Sequence, residues 1–227
     1  LDEIAVDLIM TMYFQREIEL LKKKILTLGA LVEENLRRAV KSIQTRDTVL
    51  AQQAIENDTA IDDMEVEVEE DCLKILALHQ PVAIDLRFII AVLKINSDLE
   101  RIGDLAVNLA ERSVFLSTRE PLKLPFDLSR MAELAQSMLR NSLDALVNLD
   151  RHLAQEVCKT DDEIDAMHRL SYGLIEEAIK TNPKQMDLLI SSLALSRNLE
   201  RVADHTTNIA EDVLYMIQGE IVRHRLG

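Results

Sequence analysis

The sequence predicts an all-α protein, six long helices arranged as two pseudo-symmetric three-helix bundles. Three observations predict it. Glycine and proline number only five and four in 227 residues, while Leu, Ala, Ile, Glu and Asp abound, a composition that favours helix. Apolar residues recur at three-to-four spacing almost everywhere between a few sharp breaks. The chain also repeats itself: residues 99–111 read LERIGDLAVNLAE and residues 199–211 read LERVADHTTNIAE, identical at seven of thirteen positions. Upstream, DTAIDDM (58–64) matches DDEIDAM (161–167) at Asp58/Asp161, Ile61/Ile164, Asp62/Asp165 and Met64/Met167. Such duplication makes each copy one supersecondary unit.

The elements follow in order. A first helix is predicted over 14–45, with Ile18, Leu21, Ile25, Leu28, Val32, Leu36 and Ile43 on one face. Asp47 is a good N-cap for a second helix, 47–78, which His79-Gln80-Pro81 ends because proline disfavours helical geometry in its predecessor. A third helix follows over 85–116. The stretch 117–127, with Pro121 and Pro125, is the linker. After it come a fourth helix over 128–149, a fifth capped by Asp150 and ended by Asn182-Pro183, and a sixth to Gln218 with Gly219 as its stop. Pro81 and Pro183 punctuate the same connection in each copy. The expected bundles are 14–118 and 126–220, with antiparallel neighbours joined by short connections. A single long coiled coil is disfavoured by the same breaks.

Charge and composition exclude several functions. A net charge of −14 opposes nucleic-acid or anionic-lipid binding, and 3% aromatic residues with no Trp leave little for base stacking. Cys72 and Cys158 stand alone and are expected to be buried thiols of a reducing compartment, so a cytoplasmic location is expected. No segment approaches the roughly 18 uncharged apolar residues of a membrane span. The opening residues lack the basic start of a signal peptide, and Met10 and Met12 are candidate true starts behind the first Leu.

The chemistry lies in four carboxylate pairs: Asp58/Asp62, Glu100/Asp104, Asp161/Asp165 and Glu200/Asp204. Residues i and i+4 share a helix face about 6 Å apart along the axis. One exposed like-charge pair costs only roughly 0.2–0.5 kcal/mol and by itself means nothing. Recurrence changes the reading. Each copy has one pair on its second helix and one on its third, and if these face each other, four carboxylates converge, an arrangement that a multivalent cation resolves. The stripe continues through Asn108 and Glu111 in one copy and Asn208 and Glu211 in the other, as further ligands or supports. Oxygen ligands suit Mg, Ca, Mn or Fe better than structural Zn. Setting the eight paired carboxylates aside leaves −6 of the −14. His205, beside Asp204, points off the stripe and is read as incidental. The plain alternative is a solvated acidic face partnered by Arg101 and Arg201.

These motifs, together with FQREIELLKKKILTLGALVEENL at 14–36, resemble the PhoU family of phosphate-uptake regulators, over nearly everything from 14 to about 220. The resemblance implies two three-helix bundles and metal binding through the same four acidic pairs, in some members as multinuclear iron clusters. Iron is therefore the leading candidate, ahead of Mg, Mn, Ca or Zn. It further implies a homodimeric, non-enzymatic negative regulator of the phosphate-starvation response, acting between a phosphate ABC transporter and a membrane sensor histidine kinase. This chain has Asp where the family motif allows Glu at 58 and 161, a shorter reach that bears on which metal is held.

Two rivals remain. A di-iron carboxylate enzyme needs Glu-x-x-His on core-facing helices, and the sequence contains none. No nucleophile–base pair or Gly-rich phosphate loop is visible either. A structural helical adaptor that binds no metal would leave the duplicated pairs unexplained. The Lys22–Lys24 run could serve docking, with a solvated helix face as the simpler account.

Overall fold

In a computed structural model, described here for the backbone of residues 2–219 and the side chains of 12–219, the chain is helical throughout, with no strand among the described residues. The elements are α1 (Asp2–Thr45), α2 (Thr48–Glu56), α3 (Asp58–His79), α4 (Ala83–Ser117), α5 (Leu128–Asn148), α6 (Arg151–Thr181), a 3-10 turn (Pro183–Gln185) and α7 (Met186–Gln218). The predicted second helix is therefore divided. Asn57 closes α2 with ψ −14°, and the Ala60 N–H reaches back to the Asn57 carbonyl at 3.1 Å, a tight i→i+3 turn that starts α3 at Asp58. In the second copy α6 passes through the equivalent position unbroken.

The capping aspartates act as local chemistry requires. Asp47 accepts from the Val49 and Leu50 amides at 2.9 and 3.2 Å, and Asp150 from His152 and Leu153 at 2.9 and 3.1 Å. Gln80 ends α3 in the left-handed region at φ 45°, directly before Pro81, and Gly219 ends α7 at φ 72°, where glycine carries no Cβ penalty.

Within the first half α1, α2/α3 and α4 pack together; within the second, α5, α6 and α7 do so. The halves meet through α4 on α7 and α1 on α5, while among the described residues the backbones of α1 and α7, and of α4 and α5, stay more than 8 Å apart between Cα atoms. Four helices thus form the centre, with α2/α3 laid on one outer side and α6 on the other. Leu21, Ile25, Leu28, Val32 and Leu36 fill the α1 face, all essentially inaccessible, and Ile43 is half-buried. At the α1–α5 crossing a Cβ on Gly29 would lie 2.6 Å from Leu143 Cδ2, so the missing side chain permits the close approach. The buried apolar cluster runs continuously through both halves. Arg46, in the first turn between helices, donates to the carbonyls of Leu116 and Arg119 and pins the start of the linker. Of the lysine run, Lys24 ties α1 to α3 through Glu67 at 3.1 Å and Asp71 at 2.7 Å, and Lys22 pairs with Glu19 on its own helix at 2.7 Å.

Candidate metal centres

The antiparallel register of α3 on α4 decides what meets. Asp58 lies against Gly103, where an added Cβ would stand 3.4 Å from Asp58 Oδ1 and 3.2 Å from Ile61 Cγ2. Seven residues along, Glu65 lies against Asn96, whose amide donates to the Glu65 carbonyl at 2.9 Å and to Glu65 Oε1 at 3.1 Å. Asp62 falls between these anchors, opposite Glu100. The first centre thus gathers Asp58, Asp62, Glu100 and Asp104 on facing turns of two helices.

Their electrostatics bear the signature of convergence. Burial pushes the Asp58 carboxyl up to about 6, and Asp62, Asp104 and Glu100 add to the rise. Glu100 is likewise raised, by burial first and then by Asp104, with Arg101 working against it. Arg101 spans the pair on α4, 3.5 Å from Glu100 and 3.9 Å from Asp104. Asp58 Oδ1 is inaccessible to solvent and has no hydrogen-bond partner.

The second centre repeats the plan more tightly. One oxygen each from Asp161, Asp165 and Asp204 lies within 4.8 Å of the other two. Burial, then Asp204 and Asp165, raises the Asp161 carboxyl to about 7, and the Thr207 hydroxyl works against the rise. Asp204 and Glu200 are also raised, both chiefly by burial. Arg169 reaches Asp165 Oδ2 at 3.1 Å, and Arg197 and Arg201 offset part of the charge at Glu200. Asp161 Oδ1, like Asp58 Oδ1, is enclosed and unpartnered. A multivalent cation fits this chemistry: burial and neighbouring carboxylates raise Asp58 in one set and Asp161 in the other, and each set includes one enclosed oxygen with nothing to accept from, while three carboxylate oxygens within 4.8 Å of one another are found, among the described residues, in the second set alone.

The outer members of the stripe do other things. Asn108 donates to the Asp104 carbonyl of its own helix at 2.9 Å, and Glu111 is exposed. Asn208 turns to Asp98 on α4 at 3.2 Å. Burial raises the Cys158 thiol, and the charges of Glu211 and Asp161 add to the rise. His205 is not incidental: its Nδ1 lies 2.8 Å from Asp98 Oδ1, so His205 and Asn208 together fasten α7 to α4 across the two halves. Its counterpart Leu105 hid this role, because the bond joins the copies instead of recurring within each. Glu65, Asn96, Thr207, Arg169 and Arg197 were also missed. None lies on the duplicated i, i+4 pattern, and aligning the copies position by position was the one signal pointing to them.

The PhoU domain model matches the chain twice, over residues 25–113 and 128–213. A Thermotoga maritima protein described as "Phosphate-specific transport system accessory protein PhoU homolog 1" is 35% identical over 216 residues, covering 94% of this chain and 93% of its own. A Pseudomonas putida protein described as "Phosphate-specific transport system accessory protein PhoU homolog" is 35% identical over 212 residues, covering 93% of this chain and 83% of its own. The crystal structure of PhoU from Pseudomonas aeruginosa superposes with a TM-score of 0.88 at 34% identity, covering 91% of this chain and all of that one. That of the phosphate transport system regulatory protein PhoU from Streptococcus pneumoniae does so at 0.82 and 31%, covering 92% and 99%.

Proposed function

This chain belongs to the PhoU family, and from that premise we propose that it is the accessory protein of a phosphate transport system, a metal-binding regulator that restrains phosphate uptake and the phosphate-starvation response. The observation that carries the metal reading is the meeting of two acidic pairs in each half, each with an enclosed, unpartnered carboxylate oxygen. The regulatory reading is supported by relatives described as accessory to phosphate-specific transport, which the chain matches over nearly its full length and theirs.

Asp58, Asp62, Glu100 and Asp104 would hold one centre and Asp161, Asp165, Glu200 and Asp204 the other. A bound cation supplies positive charge at an otherwise repulsive surface. The chain's own part is to hold the carboxylates on rigid helices and, once neutralised, to present that face to an acidic or anionic partner surface. The proposed partners are the phosphate ABC transporter and the sensor histidine kinase, met in the cytoplasm by a homodimer. No helix among the described residues is long and apolar enough to cross a membrane. The role is one of binding, not catalysis.

Replacing Glu100, Asp104, Glu200 and Asp204 together by Ala tests the coupling. The expected outcome is loss of metal by elemental analysis and derepression of a phosphate-starvation reporter in cells where this chain replaces the resident homologue. Full repression by a metal-free variant would overturn it.

A further inference from the structure

The linker between the halves is built as a strap. Along it the side chains alternate: Leu122, Leu124, Phe126 and Leu128 are half-buried, while Lys123, Pro125 and Asp127 are exposed. Arg46 fastens the start of the strap, and at its end Asp127 caps α5 by accepting from the Arg130 amide at 2.9 Å. Three of the inward leucines line a cavity of about 110 Å³, together with residues of α4, α7 and the turn after α1. Leu124, Leu128 and Ile43 also border an adjoining cavity of about 290 Å³.

The polar groups of the smaller cavity are few and do not satisfy one another. Ser117 and Ser192 each give the hydroxyl proton to a carbonyl of their own helix, Val114 and Leu188, both at 2.8 Å. Ser113 does not: it is 2% exposed, and its Oγ is enclosed with no hydrogen-bond partner. Arg46 spends one nitrogen, Nη2, on the carbonyls of Leu116 and Arg119, which leaves the protons of Nε and Nη1. No carboxylate pairs with it among the described residues. Nor does the turn require an arginine. Arg46 has φ 58° and its counterpart in the second copy, Leu149, has φ 49°, so one backbone geometry carries a guanidinium in one half and an apolar side chain in the other.

We infer that the cavity under the strap is a binding site for a small apolar monocarboxylate. Arg46 holds the carboxylate, Ser113 donates to it, and the hydrocarbon body lies among the leucines of the strap, α4 and α7. The apolar walls disfavour an inorganic oxyanion, which would lose its water without replacement. Glu120 also lines the cavity and is exposed, so a dianion would meet a like charge. The volume is small against the roughly 300–1,000 Å³ of drug-sized sites, which limits the body to a few carbons. A ligand so placed touches both halves and the strap that joins them.

Hexanoate is the probe for the full-length chain, with hexan-1-ol and inorganic phosphate testing its body and its charge apart. Each is titrated calorimetrically near neutral pH and followed by thermal melts. Hexanoate is expected to occupy one site and to bind at least about tenfold more tightly than either control. Arg46→Gln should abolish that binding, although it also loosens the strap. Ser113→Ala avoids this complication. It should weaken hexanoate by about tenfold while ligand-free melting stays the same or rises, because an enclosed hydroxyl without a partner has been removed. Phosphate or hexan-1-ol binding as tightly as hexanoate overturns the assignment, as does a Ser113→Ala chain that binds hexanoate like wild type. Uptake of none of the three, a cavity that holds water alone, overturns it as well.

Discussion

Asp161 and Asp58 occupy one position in two copies, and each holds its proton to a higher pH than a solvated aspartate would. Their carboxyls are raised to about 7 and about 6, first by burial and then by neighbouring carboxylates. Between the ordinary aspartate value near 4 and these values, the folded chain binds more protons than the unfolded one, so stability falls as pH rises. Thermal melts of chelator-treated protein should therefore drop progressively from about pH 4 to about pH 7, and added metal should reverse the drop at the upper end. Asp161→Asn removes the charge that burial disfavours. Its metal-free melting temperature at pH 8 should exceed wild type by a few degrees while its gain from metal shrinks. The thiols behave oppositely to reactive cysteines: burial pushes Cys72 up to about 12 and Cys158 to about 11. Native Cys72, fully enclosed, should resist a thiol reagent at pH 8 and react on unfolding.

Among the elements, α3 and α4 depend on a single missing side chain. Gly103 is buried where α3 crosses, with Ile61 and Asp58 both within contact of the Cβ it lacks. Gly103→Val should destabilise the protein by about 1–3 kcal/mol, as overpacking of a filled interface does, and weaken metal binding at the first centre alone. A chemical denaturation series with parallel metal titration reads both effects. The capping aspartates are more local. Asp150→Ala should cost about 0.5–2 kcal/mol, seen as a lowered denaturation midpoint with an unchanged slope, because two amides at the start of α6 lose their acceptor.

At the scale of the molecule, the apolar interior passes without interruption from one half to the other, and polar bonds fasten α4 to α7 above it. Lys94 meets the buried Asp212 at 3.1 Å, and Asp98 holds His205 and Asn208. Calorimetry should therefore show one cooperative transition, with both halves lost together; two resolved transitions would contradict the shared core. Helix positions, caps and breaks were legible in the sequence, since propensity, capping and three-to-four periodicity act within a few residues of each other. The turn at Asn57 escaped, because nothing but the backbone at 57–60 distinguishes it from the continuous α6, and so did the start of α1 at Asp2 and the 3-10 turn Pro183–Gln185. The eight paired carboxylates were equally legible, spacing being a local quantity and duplication a signal any reader can align. Their protonation was not. Which oxygen is enclosed, which arginine offsets it, and that Glu65 and Asn96 adjoin one quartet while His168 and Ser196 adjoin the other all depend on helices some 30 residues apart in the chain being laid side by side. Local pattern determined where the charges are carried; only packing, which sets burial and the distances between helices, decided what those charges do to one another.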